Sequence, residues 1–132
     1  VEELDEYLSI TDGEEHAFYN QFNQIEELDH VLVLYKNEQA VACGAMKTYQ
    51  LGMEIKRMYC KPTFRRRGYS TAILSHLENW SIELGAEFCV LETGLRQEEA
   101  LGFYQALGYH KVPNYGQYEA VENSICFKKS LV

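Results

Sequence analysis

Arg65, Arg66 and Arg67 stand directly before Gly68, Tyr69 and Ser70, and that run is the densest chemical signal in the chain. Guanidinium groups present planar, charged donors that suit phosphate oxygens. A glycine lets backbone approach an anion because no Cβ stands in the way. If a helix begins here, its first turn adds N–H groups without internal partners and partial positive charge. The chemistry on offer is the binding of a phosphate-bearing ligand. A solvated basic loop capping a helix is the simpler alternative. GxxxxGK[ST] is absent and no GxGxxG opens a helix, so nucleotide loops of those spacings are excluded.

Proton-transfer chemistry has fewer candidates. Glu54 and Glu92 are carboxylates set at strand-like positions, and either can accept a proton or pair with Lys56 or Arg57. Tyr104 follows Ala100 by four residues on one helical face, where a buried phenol needs a partner for its hydroxyl. A core aromatic is the plainer reading. His16, His30, His76 and His110 show no paired metal spacing, so no metal is expected. The cysteines Cys43, Cys60, Cys89 and Cys126 form no CxxC pair and sit among apolar residues, which points to buried, reduced thiols.

The elements that must carry these groups can be read from periodicity. Residues 4–10 form a short strand, and Asp12 with Glu15 reads as a capping box opening a helix to about residue 28. Residues 31–35 and 40–49 make a hairpin around a polar turn, and 53–60 make a further strand, which Pro62 ends. A helix from 68 to 84 carries Tyr69, Ile73, Leu77, Trp80 and Leu84 on one face and closes at Gly85. Residues 88–91 form a buried strand, 97–107 a second helix closed by Gly108, and 124–127 an apolar final strand. The resulting order is β-α-β-β-β-α-β-α-β-β, an α/β domain spanning 1–132 without repeats or linkers.

Charge narrows the partners. The 132 residues carry a net charge of −8, which disfavours nucleic acid and anionic membrane. Yet residues 56–67 hold six of the 12 basic side chains, and no acid occurs between residues 55 and 77. An acidic chain with one concentrated basic segment suits a small polyanion bound at one place. The acidic first residues and the lack of an apolar stretch of membrane length lead to an expectation of a cytoplasmic, soluble protein.

From Met53 to about Gly108 the sequence resembles the acetyl-CoA-binding core of the GNAT superfamily of N-acetyltransferases. The family loop [RQ]-x-x-G-x-[GA] is matched by Arg65 and Gly68, with Ser70 a small departure at the last position. Residues 54–62 resemble the fourth strand that runs up to that loop. Gln97, Ala100, Tyr104, Gly108 and Tyr109 resemble the second signature, with Gln97 in place of Asn. The N-terminal third matches in element order alone.

The resemblance implies a mostly antiparallel sheet whose fourth and fifth strands splay, with acetyl-CoA as co-substrate. It places the pantetheine arm along Met58, Tyr59 and Cys60, and the phosphates at Arg65, Arg66, Arg67, Gly68, Tyr69, Ser70 and Thr71, with Gln97 and Tyr104 nearby. It assigns the departing thiolate's proton to Tyr104 and the general base to Glu54, with Glu92 or water as alternatives. An N–H near Met58 would face the thioester oxygen. The acceptor, expected to be a small cationic amine, would meet Tyr19, Phe22, Glu92, Asn114, Tyr115 and Tyr118. A homodimer comes in by the same analogy. A non-catalytic acyl-CoA-binding module and a peptide or protein N-acetyltransferase are the alternatives.

Overall fold

A computed structural model describes residues 30–94 and 98–132. The expected strand at 4–10, the helix at 12–28, and Tyr19, Phe22 and Gln97 lie outside the described residues. Six strands form one mixed sheet: β1 His30–Lys36, β2 Gln39–Tyr49, β3 Gly52–Cys60, β4 Phe88–Gly94, β5 His110–Val112 and β6 Ser124–Ser130. Their order is β1-β2-β3-β4-β6-β5. Two helices, α1 Tyr69–Glu83 and α2 Glu98–Ala106, complete the layers. Among the described residues no helix is long and apolar enough to cross a membrane.

The β1–β2 hairpin forms because two apolar runs meet around a turn in which Asn37 and Glu38 both take positive φ, 50° and 65°. On the helical side, Val41, Met46, Met53, Ile55, Leu91 and Phe127 pack with Ile73, Leu74, Leu77 and Tyr104. The opposite face gathers Ala40 and Cys43 with Val31, Val33, Tyr35 and Tyr59. The buried face of α1 is Ile73, Leu74, Leu77 and Ser81, rotated from the stripe expected from the sequence. Leu84 ends half exposed, at 50%. Ser81 tolerates full burial because its hydroxyl donates to the Leu77 carbonyl at 2.8 Å.

Two irregularities shape the middle of the sheet. First, Cys43 pairs with Tyr59 and Ala45 with Lys56, so Arg57 and Met58 together oppose Gly44. That is a β-bulge, and Arg57 takes φ 57° to make it. Gly44 leaves the room: a Cβ there would lie 2.7 Å from both Met58 Sδ and Ile73 Cγ2. Gly44→Val is therefore expected to lower stability by about 3 kcal/mol through overpacking, read as a lower urea midpoint at unchanged slope.

Second, β3 and β4 run parallel but pair only at Met53↔Cys89 and Glu54↔Val90. Beyond those rungs the strands diverge, and β4 pairs instead with β6 along its whole length. The sheet is open at its centre.

Candidate active site

The divergence of β3 and β4 makes a fork, and a cavity opens on each side of it. On the helical side a cavity of about 300 Å³ is lined by Ile55, Lys56, Arg57, Met58, Leu91, Glu92, Thr93, Ala100 and Tyr104. On the other side a cavity of about 330 Å³ is lined by Ile55, Lys56, Arg57, Glu92, Gln117 and Tyr118. Ile55, Lys56, Arg57 and Glu92 belong to both walls.

Tyr104 stands in the helical-side cavity, buried, with its ring against Phe103, Tyr109 and Phe127 at centroid distances of 5.1, 5.8 and 6.2 Å. Burial pushes its phenol up to about 12, so it is a neutral hydroxyl at physiological pH. The neighbouring Tyr109 is fixed in turn. Its hydroxyl donates to Glu78 Oε2 at 2.8 Å, and Lys129 Nζ holds Glu78 Oε1 at 3.1 Å.

On the other face, alternation along β3 points Met53 and Ile55 into the helical core and turns Glu54 and Lys56 away from it. Glu54 is almost fully buried and accepts the Tyr115 hydroxyl at 2.9 Å on Oε2. Lys56 Nζ lies 3.9 Å from its Oε1. Neither cavity wall includes Glu54. Glu92 reaches both, with Oε2 accepting the Ser124 hydroxyl at 2.5 Å. Tyr49, Tyr115 and Tyr118 form a chain of rings at 4.9 and 5.5 Å. Burial raises the Tyr118 phenol, a hydrogen bond with Gln117 pulls it back in part, and the charges of Glu54 and Glu92 raise it further.

Asn114, expected at the acceptor, does another job. Its Nδ2 lies 3.1–3.2 Å from the carbonyls of Tyr118, Val121 and Ser124, binding the loop between β5 and β6 together. Of the expected acceptor residues with a described structure, Glu92 and Tyr118 line a cavity, and Tyr115 contacts the Tyr118 ring and Glu54 without lining either cavity. The sequence does not single out Thr93 or Gln117, and it points to Lys56 and Arg57 only as members of the basic segment and ion-pair partners for Glu54 or Glu92. Counting alternate residues from Glu54 would have found Lys56.

The anion loop lies at the start of α1. Gly68 is its N-cap, at φ 84°, and a Cβ built there meets nothing within 4 Å. The first turn contains no acidic residue. Ser70 and Tyr69 are half-buried there and Thr71 is exposed. The three arginines divide their work. Arg65 Nε donates to the Cys60 carbonyl at 3.0 Å, tying the loop to the end of β3. Arg66 makes an exposed pair with Glu99 of α2 at 3.3 Å, and Arg67 lies over the Phe64 ring at 5.5 Å. The exposed Arg66 pair is a weak restraint. Space, cation density and free helix-start geometry fit a phosphate group.

All four cysteines are free and buried. Burial raises the Cys60 thiol, with the Arg65 charge pulling it back in part, so it is no activated nucleophile. Tyr59 packs against Cys43 on the face away from the helices and does not line the fork. Among the described residues no cluster of three or more His, Cys, Asp or Glu could hold a metal ion.

A mixed sheet forked beside a bulged strand, with an anion loop at the next helix, is the frame of an acyl-CoA N-acyltransferase. The chain belongs to the Acetyltransferase (GNAT) family, whose sequence profile matches residues 1–109. By that membership it is an N-acetyltransferase. It is 28% identical over 134 residues to an IAA acetyltransferase of Azospirillum brasilense, covering 99% of this chain and 88% of that one. A crystal structure of a candidate acyl-CoA N-acyltransferase from Klebsiella pneumoniae superposes with TM-score 0.76 at 25% identity, covering 92% of each chain. The PaiA N-acetyltransferase of Thermoplasma acidophilum, solved in complex with coenzyme A, matches in fold. Its TM-score is 0.68 at 15% identity, over 94% of this chain and 82% of that one.

Proposed function

We propose that the chain transfers an acetyl group from acetyl-CoA directly to the primary amine of a small molecule. The observation that carries this reading is the pair of cavities that share Ile55, Lys56, Arg57 and Glu92 at the fork. Acetyl-CoA supplies the activated thioester. Its pyrophosphate is assigned to the start of α1, at Gly68, Tyr69, Ser70 and Thr71, with charge from Arg65, Arg66 and Arg67. Arg57 and Met58 of the bulge line the helical-side cavity, which supports giving the thioester oxygen a backbone N–H donor near Met58. Tyr104 donates its phenolic hydrogen towards the leaving sulfur.

The amine enters from the opposite cavity, where Glu92 meets the incoming ammonium. Glu54, one layer below, receives the proton through the tyrosine hydroxyls that separate it from the cavity. The two carboxylates thus split the tasks of holding the amine and drawing off its proton. A cavity of about 330 Å³ suits a small molecule better than an extended peptide.

The test is a panel of small amines and short peptides, followed by release of free coenzyme A thiol. Turnover on small amines with none on peptides supports the reading, and the reverse preference overturns it. Glu92→Gln is expected to act chiefly by raising the KM for the amine. Glu54→Gln is expected to lower kcat about tenfold or more with little change in the KM for acetyl-CoA.

A further inference from the structure

We infer that Tyr109, through its hydroxyl on Glu78, is a positioning residue that aims Tyr104 at the departing sulfur. The inference rests on the acetyl-transfer reading above and extends the machinery of that same site into α1. The helix that carries Tyr104 is short, and of its nine residues Tyr104 alone is buried. A helix of that length does not persist in water by its own hydrogen bonds, so its place is set by what Tyr104 docks against.

Tyr109 makes that dock. Its N–H donates to the Tyr104 carbonyl at 3.0 Å and closes the last turn of α2. Its ring meets the Tyr104 ring at 5.8 Å and 68°, close to edge-on. Both contacts fix Tyr104 only as firmly as Tyr109 is itself fixed. The Tyr109 hydroxyl donates to Glu78 Oε2 at 2.8 Å, and Lys129 Nζ donates to Glu78 Oε1 at 3.1 Å. Lys129 Nζ also lies over the Tyr109 ring, 5.7 Å from its centre. Side chains from α1 and β6 thus converge on one phenol just after α2, and it is 3% exposed. Tyr109 lines neither cavity, so any effect it has on the reaction passes through Tyr104.

An apolar residue would fill this space without the cost of desolvating a carboxylate and an ammonium. The polar partners add direction, because a hydrogen bond fixes where one end of the ring sits. Glu78 stands ten residues after Gly68, on the helix that Gly68 opens. About 15 Å of α1 therefore separates it from the loop assigned to the pyrophosphate. The brace references Tyr104 to the helix that holds the other end of acetyl-CoA.

The experiment is a double-substitution cycle in kcat, run with an amine from the panel and with sites counted by acetyl-CoA binding. Tyr109→Phe keeps the ring and the backbone bond and removes only the brace. It is expected to lower kcat by about fivefold to tenfold, because a slightly displaced donor is felt strongly in the rate. The KM for acetyl-CoA and the rise in Tm on binding it should not change. In a Tyr104→Phe background the same substitution should alter kcat by less than about twofold, since no hydroxyl is left to aim. Glu78→Ala should repeat the Tyr109→Phe result and takes its place in the cycle if that variant does not fold. Glu78→Gln, whose amide still pairs with the phenol, should retain most of the wild-type kcat.

An unchanged kcat per counted site, or an equal loss in both backgrounds, makes Tyr109 a packing residue and overturns the inference while acetyl transfer stands. If Tyr104→Phe itself keeps the wild-type kcat, the role of Tyr104 falls and the brace falls with it. If the protein binds acetyl-CoA yet acetylates no amine of the panel, the acetyl-transfer reading falls, and the inference with it.

Discussion

Acetyl-CoA raises the melting temperature of the wild-type protein, and the double substitution Arg66→Glu, Gly68→Asp abolishes that rise. This is the expected result of thermal unfolding with and without the ligand, since a ligand that binds the folded state stabilises it by mass action. Gly68 caps α1 at φ 84°, and the space beyond its missing Cβ is open. An aspartate there occupies that space with a carboxylate at the point where the helix start attracts an anion. Asp tolerates the left-handed conformation better than most residues, which keeps the backbone cost small. Arg66→Glu reverses a charge whose side chain, among the described residues, is engaged in an exposed pair with Glu99. The substitutions are thus expected to remove binding at modest cost to the fold. A double variant that folds and keeps the full ligand-induced shift would place the pyrophosphate elsewhere.

Tyr104→Phe is expected to lower kcat by tenfold or more while changing the KM for acetyl-CoA little. The hydroxyl acts on the departing sulfur, and a hydrogen bond to a charged group contributes about 1.5–3 kcal/mol. The ring stays, so its contacts with Tyr109 and Phe127 survive and stability changes little. With the phenol held at about 12, Tyr104 does not titrate through the physiological range. An ordinary thiol ionises near pH 8.5, roughly three and a half pH units below it. Full proton transfer to a free thiolate is therefore uphill, and Tyr104 works as a hydrogen-bond donor while the C–S bond breaks. The kcat–pH profile should show no loss attributable to this residue up to about pH 10. Steady-state kinetics that left kcat unchanged in the phenylalanine variant would make Tyr104 a packing residue.

Much of this frame was legible in the sequence because it is encoded locally. An apolar run, a polar turn at 36–39 and a strand-ending Pro62 set β1 to β3. Gly85 and Gly108 mark the ends of two helices observed at Tyr69–Glu83 and Glu98–Ala106. The loop at Gly68 announces itself by charge and by glycine. What was not legible depends on distant partners. The bulge at Arg57 has no glycine or proline to mark it, since an arginine takes the positive φ and the accommodating glycine, Gly44, is on another strand. The burial of Glu54 under Tyr115 joins residues 61 apart in sequence. The α1 stripe was read one notch off because Ser81, a polar residue, takes a core position by bonding back to Leu77. Lys56 and Arg57 looked like part of the basic segment serving the loop. The register of β3 places them on the wall of the fork instead.

The two rungs that join β3 to β4 carry a mechanical meaning. They make the sheet a pair of three-stranded leaves, β1-β2-β3 and β4-β6-β5, held along a short seam at Met53 and Glu54. The backbone ladder between the leaves is short, and a single apolar core, with Met46 and Ile55 on one side and Leu91 and Phe127 on the other, spans both. A molecule lying in the fork touches both leaves at once and acts as extra stitching. Occupancy is then felt at the outer edges of the sheet as stiffness, with no need for any strand to change place.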